Sequence, residues 1–256
     1  MRKSIVATVI TLATFASTGA HADDSWSTRS ELGFVASRGN TSTQTGNAKI
    51  QVVREVNRWK YTLETTGLYG KSQGVATAQH VDGRLQVDKA FGTDQRWFWF
   101  GSGRYEDDRF SGFDYQSTVT TGLGRKFIDS DTTKLTAQVG AGYRALRPEL
   151  IVRDATTGLV VARILGERDK DFVVNGSLTF SYAFNPQTRI LESLLTESGE
   201  ANTLTRNDLA LEVKMIKSLA LSLGVSVRHN SEPLPGLKRT DTLTTVNLVY
   251  LKSNQP

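Results

Sequence analysis

An alternation of apolar and polar residues returns many times along the chain and limits the folds that the chain can adopt. Between residues 59 and 67 the odd-numbered positions are mostly apolar, whereas the even-numbered ones are Lys60, Thr62, Glu64 and Thr66. A period of two places one face of an extended strand in apolar surroundings and the other in polar surroundings. The same alternation begins again near residues 31, 80, 134, 171, 208 and 219.

The length of these segments separates a soluble sheet from a membrane barrel. Strands of soluble sheets usually run about 5 or 6 residues. The present segments keep their period for about 10 to 14 residues, enough for a tilted strand to cross hydrocarbon. We therefore predict an all-β chain that forms a transmembrane antiparallel up-and-down β-barrel of about twelve strands. Between Asn185 and Asn202 the period is obscured by Ile190, Leu191, Leu194 and Leu195.

The N-terminus predicts export. Arg2 and Lys3 precede an apolar run from Ile5 to Phe15, and Ala20-His21-Ala22 is a small-residue cleavage motif. A membrane anchor would need a longer apolar run. We predict a cleaved signal peptide at 1–22 and one barrel domain at 23–256, located in the outer membrane of a Gram-negative bacterium. The basic and acidic residues are nearly balanced, with 31 Lys+Arg against 26 Asp+Glu. This balance and the predicted export both argue against a nucleic-acid partner.

The predicted connections fall into two sizes. Short ones are expected at 55–58, 92–95, 185–187 and 216–218, and longer ones at 71–79, 107–113, 145–168 and 230–240. Outer-membrane barrels have short periplasmic turns and longer external loops. The pattern therefore places the long loops outside the cell and both termini on the periplasmic side, in a barrel that we expect to be monomeric.

Aromatic residues concentrate near the predicted strand ends, where rings favour the membrane–water interface. The set expected to form a girdle beside the short turns is Trp59, Phe91, Trp97, Phe98, Trp99, Phe100, Phe127, Tyr182, Phe184 and Tyr250. The set expected at the opposite rim is Phe34, Tyr69, Tyr105, Phe110, Phe113, Tyr115, Tyr143 and Phe172. A soluble core would instead place its rings along the strand centres.

Several short motifs recur in a specific order. They are Ser30–Gly33 with Gly39–Thr41, Gly122–Gly124, Gly140–Tyr143, Ser231–Gly236 with Asp241, and Leu248–Tyr250. In this order the chain resembles domain-of-unknown-function family 481, the YdiY-like, salt-induced outer-membrane proteins, over nearly the whole mature sequence. The resemblance implies an outer-membrane barrel with a link to salt response, no established activity and no catalytic residues. Members of the family end on an aromatic residue, whereas here Tyr250 is followed by six further residues, Leu251 to Pro256.

The polar faces of the strands predict a charged lumen. The residues that we expect to face it are Glu64, Asp82, Arg84, Asp88, Arg104, Glu106, Lys134, Glu212, Lys214 and Arg228, together with Lys49, Lys60, Asp171 and Asp208. Charges of both signs in a narrow barrel favour either a channel for ions and small solutes or a filled structural barrel of the envelope. By the same alternation, Arg should be tolerated at Glu212 or Ser226 but not at lipid-facing Leu211 or Val225.

The search for catalytic or cofactor motifs is mostly negative. The sequence lacks cysteine, a glycine-rich phosphate loop, H-E-x-x-H and G-x-S-x-G. His80 shares a polar face with Asp82 and Asp88, which we interpret as a solvated wall rather than a metal site. We expect no cofactor and no bound metal. The expected partners are outer-membrane lipids, the assembly machinery during biogenesis, and small solutes or ions.

One alternative belongs to a different functional class. His229 and Ser231 share the lipid-facing phase at the outer-leaflet edge, where an acyl hydrolase could use imidazole as base and hydroxyl as nucleophile. Glu232 or Asp241 would have to orient the imidazole. The opposing interpretation is that the strand ends at His229 and that Asn230 to Gly236 form a loop, as Asn, Ser, Pro and Gly favour. We therefore expect no enzyme activity.

The longest predicted connection yields a topological prediction. In segment 145–168, the turn centre Asp154, Thr156, Thr157 and Gly158 is flanked by Leu150–Val152 and Leu159–Val161, which predicts a hairpin that extends the barrel wall. An epitope inserted after Thr157 should therefore bind antibody on intact cells. Binding only after permeabilisation of the outer membrane would invert the topology.

Overall fold

The structure, a computed structural model, describes residues 24–37, 43–73, 75–109, 113–153, 160–200, 202–233 and 238–254. The predicted signal peptide lies outside these residues. Among the described residues, no helix is long and apolar enough to span a membrane.

Thirteen strands make up the described part of the chain. They are β1 (Asp24–Ser37), β2 (Thr43–Val56), β3 (Trp59–Ser72), β4 (Val75–Phe91), β5 (Trp97–Asp108), β6 (Phe113–Asp129), β7 (Thr133–Arg153), β8 (Val160–Leu165), β9 (Asp169–Ala183), β10 (Thr188–Gly199), β11 (Thr203–Ile216), β12 (Leu219–Asn230) and β13 (Thr240–Ser253).

Twelve of these strands close into a barrel. Each pairs antiparallel with the next, except that β7 pairs with β9 in the barrel wall and β8 pairs only with β7. The first and last strands close the ring, with Ser27 opposite Ser253 and Gly33 opposite Asn247. Closure leaves no unpaired edge among the twelve described strands of the barrel wall, as a lipid environment requires. The predicted fold class and strand number are confirmed.

The segment whose period was obscured forms a regular strand, β10. Glu197 lies on its inner face and reaches Arg104 across the lumen, which places Leu191 and Leu195 on the inner face as well. Ile190 and Leu194 lie on the outer face. Both faces of this strand are therefore partly apolar. For this reason the sequence of β10 shows no clear alternation of apolar and polar residues.

The predicted external hairpin is present above the barrel. Beyond its barrel portion, β7 continues and pairs with β8, with Glu149 opposite Leu165 and Val152 opposite Ala162. The predicted turn centre at 154–158 lies outside the described residues. The strands therefore form the wall extension that the flanking apolar residues indicated.

The predicted contrast in connection size holds only in part. The long connection expected at 71–79 is wrong, because β3 continues to Ser72 and β4 begins at Val75. Gln73 has a φ of 49°, a left-handed conformation that reverses the chain within a short turn. The connection between Gly199 and Thr203 at the same end is also short. We call this end the loop end and the opposite one the termini end.

The two faces of the wall have opposite chemistry. Outward side chains such as Leu211, Leu223 and Val225 are exposed, whereas inward Glu31, Glu212 and Asn247 are buried. A soluble protein has the reverse arrangement, with its apolar side chains buried. An apolar exterior around a closed polar lumen is the construction of a barrel that spans the bacterial outer membrane.

The two predicted sets of interfacial aromatic residues are each wrong in part, one set at each end of the barrel. Trp97 and Trp99 face outward as expected, but Phe98 and Phe100 face the lumen and are buried. Consecutive residues of a strand point to opposite faces, so a run of four aromatics cannot lie wholly in one girdle. Phe113, expected at the opposite rim, is also buried. Phe110 lies outside the described residues.

Glycines on β6 and β7 make room for the inward rings. The Phe98 ring occupies the space that a Cβ atom on Gly124 would need, and Phe100 lies in the same way against Gly122 and Gly140. Phe100 has an exposed fraction of 0%. The glycine motifs of the sequence therefore serve a close approach of aromatic rings inside the barrel.

The face assignment is tested by Arg at two adjacent positions of β12. Val225→Arg places a charge in hydrocarbon and should cost about 2–4 kcal/mol of folding free energy. Ser226→Arg faces the lumen directly opposite Asp208, so we expect it to fold. The measurement is denaturant-dependent folding into lipid vesicles. Equal losses for both variants would contradict the assignment of inner and outer faces.

Candidate functional site in the barrel lumen

Most of the predicted lumenal residues lie on the inner wall. Those whose side chains are inside are Glu64, Asp82, Arg84, Asp88, Arg104, Glu106, Glu212 and Arg228. Lys134 and Lys214 differ, because both lie at strand ends near the termini-end turns and are exposed. Lys134 is 65% exposed, with its Nζ 4.0 Å from Asp129. These two lysines therefore belong to the rim.

Arg104 on β5 is the centre of a buried cluster towards the loop end. Its guanidinium lies 2.7 Å from Asp82 on β4 and 2.6 Å from Glu106 on its own strand. It also lies 3.5 Å from Glu197 on β10. One arginine thus contacts three carboxylates, and the last contact crosses the lumen.

Two further arginines reach this cluster from the opposite wall. Arg206 on β11 lies 3.9 Å from Asp82 and 2.9 Å from Asp208. Arg228 on β12 pairs with Glu106 and lies 3.6 Å from Asp108. Strands β4 and β5 face β11 and β12 across the ring. We call this group the cross-lumen network: Asp82, Arg104, Glu106, Asp108, Glu197, Arg206, Asp208 and Arg228.

The cross-lumen network constricts the barrel. Asp82, Glu106 and Glu197 are 3%, 2% and 5% exposed, so little water reaches their carboxylates. Charges at such burial are stable only when each has counter-charges and hydrogen bonds. The three arginines supply them from both walls, which joins the two sides of the lumen at this level.

His80 lies beside the network on β4. Its Nδ1 is 3.7 Å from a Glu106 oxygen and 3.5 Å from an Asp108 oxygen. These three side chains are close enough together to hold a metal ion. Arg228 contacts the same two carboxylates. Its guanidinium supplies the positive charge that a metal would bring, so the geometry favours an ion pair over a metal site.

A second ionic cluster lies nearer the termini end. Glu212 on β11 pairs with Arg29 on β1 and lies 2.6 Å from Arg189 on β10. Arg29 also lies 2.8 Å from Glu31, whose carboxylate accepts a hydrogen bond of 3.0 Å from the Asn247 amide. Glu212 is 2% exposed. This cluster ties β1, β10, β11 and β13 together.

Sequence reasoning missed several members of the two clusters. They are Arg29, Arg189, Glu197 and Arg206. Arg189 and Glu197 belong to β10, where the alternation was obscured, so no face could be assigned to them. Arg29 and Arg206 lie near the ends of recognised segments, and extending the period by one or two residues would have found them.

The two candidate catalytic residues are not brought together. His229 Nδ1 forms a hydrogen bond of 2.9 Å with Thr240 Oγ1 on β13. The Ser231 hydroxyl oxygen accepts a hydrogen bond of 2.8 Å from the Thr203 backbone N–H on β11. Each side chain is thus bonded to a different neighbour of β12. The described contacts do not form a base–nucleophile pair.

The model of a family described as "Protein of unknown function, DUF481" matches residues 30–251, which confirms the resemblance seen in the sequence. No curated protein matches the sequence.

The solved structures that resemble this chain in fold include the following three. The NanC porin is 13% identical, with 89% of this chain and 99% of that chain covered and a TM-score of 0.47. An outer membrane channel from Pseudomonas putida F1 is 8% identical, with 90% and 95% covered and a TM-score of 0.47. The translocator domain of autotransporter NalP from Neisseria meningitidis is 11% identical, with 90% and 89% covered and a TM-score of 0.43.

The position of Glu212 reverses the expectation that Arg would be tolerated there. Glu212→Arg would place a third guanidinium against Arg29 and Arg189 in a buried site. Loss of a buried partner costs about 3–5 kcal/mol, so we expect a large drop in the free energy of unfolding in vesicles. Glu55 at the rim is 54% exposed, and Glu55→Arg should change stability by about 1 kcal/mol or less. Similar effects at both positions would contradict the buried cluster.

Proposed function

We propose that this chain, which belongs to the DUF481 family, is an outer-membrane channel of low conductance for ions and small polar solutes. The observation that supports this proposal is the cross-lumen network. It lines the lumen with charges of both signs and narrows it by ion pairs between opposite walls.

The chemistry of the lumen favours a channel over a filled structural barrel. Well-packed apolar residues fill a closed space at least as stably as buried ion pairs do. A barrel that only needed filling would therefore gain nothing from arginines at its centre. A charged and hydrogen-bonding wall is instead what the passage of ions and polar solutes requires.

The network is also built to rearrange. Arg104 has three carboxylate neighbours, and Arg228 has two. When one contact across the lumen breaks, each arginine keeps a partner on its own side or on the facing wall. The proposed channel therefore opens by exchange of ion pairs in which each arginine stays paired in the low dielectric of the lumen.

The link to salt response that the family resemblance implies forms part of the proposal. A lumen that is narrowed by ion pairs limits leakage of ions across the envelope. External salt screens charge pairs that water reaches. Raised ionic strength would then weaken the partly exposed contacts of Arg206 and Arg228 before the deeply buried ones of Arg104.

Planar-bilayer recording tests this function. The purified protein should give small unitary steps, and Glu197→Ala should enlarge them, because it removes one bridge across the lumen while Arg104 keeps Asp82 and Glu106. The matched control is Asp129→Ala, which removes a rim carboxylate paired with Lys126 and Lys134. We expect this control to conduct like the wild type.

The same recordings contain the contrary outcome. Silent bilayers with verified insertion, for both the wild type and Glu197→Ala, would favour a structural envelope protein. That the protein added to the bilayer is folded is verified by the dependence of gel mobility on heating, since a folded barrel resists detergent until it is boiled. An equal increase of conductance for Asp129→Ala would show that the constriction lies elsewhere.

A further inference from the structure

Arg84 on β4 is a lumenal arginine that has no carboxylate in contact. Its Nε donates a hydrogen bond of 3.2 Å to the Ser102 hydroxyl, and its Nη2 donates one to the side-chain carbonyl of Gln86. Among the described residues, no carboxylate oxygen lies within ion-pair distance of its guanidinium. Other lumenal arginines do contact a carboxylate, namely Arg29, Arg104, Arg144, Arg189, Arg206 and Arg228.

The strands on either side of Arg84 do not supply the missing counter-charge. Arg84 lies directly opposite Arg104 on β5, and like charges at such positions are destabilising. On its other side it lies opposite Glu64 on β3. The Glu64 Oε2 atom is 3.0 Å from the Lys49 ammonium and accepts a hydrogen bond of 3.1 Å from the Gln51 amide. Because β2 holds this carboxylate, two cations, Arg84 and Lys49, face one anion here.

The Arg84 guanidinium is fixed in place and keeps free donors. A guanidinium has five N–H groups, and the bonds to Ser102 and Gln86 use two of them. The Gln86 amide is itself oriented by the hydrogen bond of 2.7 Å that it donates to Asp88. Arg84 is half-buried, and its unpaired Nη1 atom is not fully enclosed. Such a fork matches two oxygens of a carboxylate or phosphate group.

A hydroxyl group beside Arg84 also lacks a partner. The Thr66 hydroxyl on β3 is buried and forms no hydrogen bond with the described residues. Thr66 lies opposite Lys49 on β2 and opposite Asp82 on β4, so it is a diagonal neighbour of Arg84. Diagonal neighbours on one face of a sheet are about 7–8 Å apart, and one bound group can contact both side chains. A buried hydroxyl without a partner is costly, and a bound oxyanion would accept its hydrogen bond.

We propose that Arg84, Lys49 and Thr66 form a lumenal binding site for the carboxylate or phosphate group of a small anionic solute. Arg84 follows Asp82 by two residues on β4, so the site lies on the termini side of the cross-lumen network. A bound anion there supplies the counter-charge that the walls do not. The inference rests on the proposed function, since it names a class of solute for the proposed channel.

Equilibrium dialysis of radiolabelled inorganic phosphate tests the site without requiring a current. The purified, folded protein in detergent should bind phosphate saturably, with one site per chain. Arg84→Gln should weaken binding at least about tenfold, because it removes both the charge and the fork. The matched control is Arg54→Gln, since Arg54 lies at the termini-end rim, where it pairs with Asp24. We expect this control to bind phosphate like the wild type.

Competition with acetate distinguishes the two kinds of oxyanion. Displacement of phosphate by acetate would support a site for carboxylate and phosphate groups alike, and binding that acetate leaves unchanged would support a site for phosphate groups. Three results would overturn the proposal: no phosphate binding by the wild type, equal binding by Arg84→Gln, or an equal loss in Arg54→Gln.

A second variant tests the site if Arg84→Gln does not fold. Glu64→Gln removes the carboxylate that competes with a bound anion for Lys49 and Arg84. Phosphate should then bind several-fold more tightly, because less negative charge faces it. Unchanged or weaker binding by Glu64→Gln, with folding judged by heat-dependent gel mobility, would overturn the proposal.

Binding and conduction can fail separately. Phosphate binding together with silent bilayers would support the site and contradict the channel. Unitary currents without phosphate binding would overturn the site and support the channel.

Discussion

The pairing of β1 with β13 closes the ring, and the other features of the barrel follow from it. Acyl chains offer no hydrogen bonds, so each backbone group of the wall must find its partner within the sheet. Closing the ring gives the free backbone N–H and C=O groups of β1 and β13 their hydrogen-bond partners. It also fixes the circumference of the barrel. With twelve strands, the diameter is small enough for Arg206 and Arg228 to reach carboxylates on the facing wall. The lumenal chemistry is thus a consequence of closure.

The period of two was sufficient to predict the barrel, because it reports directly which face of a strand meets lipid. It placed Leu211 outside and Glu212 inside, and it found the hairpin of β7 and β8 from the apolar residues around its turn. Clustering near a turn wrongly assigned Phe98 and Phe100 to the girdle, whereas the alternation within the run places both on the lumenal face. The short turn at Gln73 was also missed, because strand pairing continues there through residues that look like a loop.

The candidate site could be predicted only as a list of inward charges. Which charges pair depends on contacts between strands that are distant in the sequence. Arg29 and Glu212 belong to β1 and β11, and Arg104 and Glu197 to β5 and β10. Local alternation holds no information about such pairs, since they arise from the diameter of the ring and the stagger of its strands. For the same reason the buried state of Glu212 could not be seen from its neighbours in sequence.

Closure through the first and last strands also governs how this protein can fold. The contact between Gly33 and Asn247 joins residues near the two ends of the chain, so its formation carries a large cost in loop-closure entropy. Until β13 is available, β1 and β12 both present bare strand edges that can pair with other chains. An incomplete chain is therefore a template for aggregation.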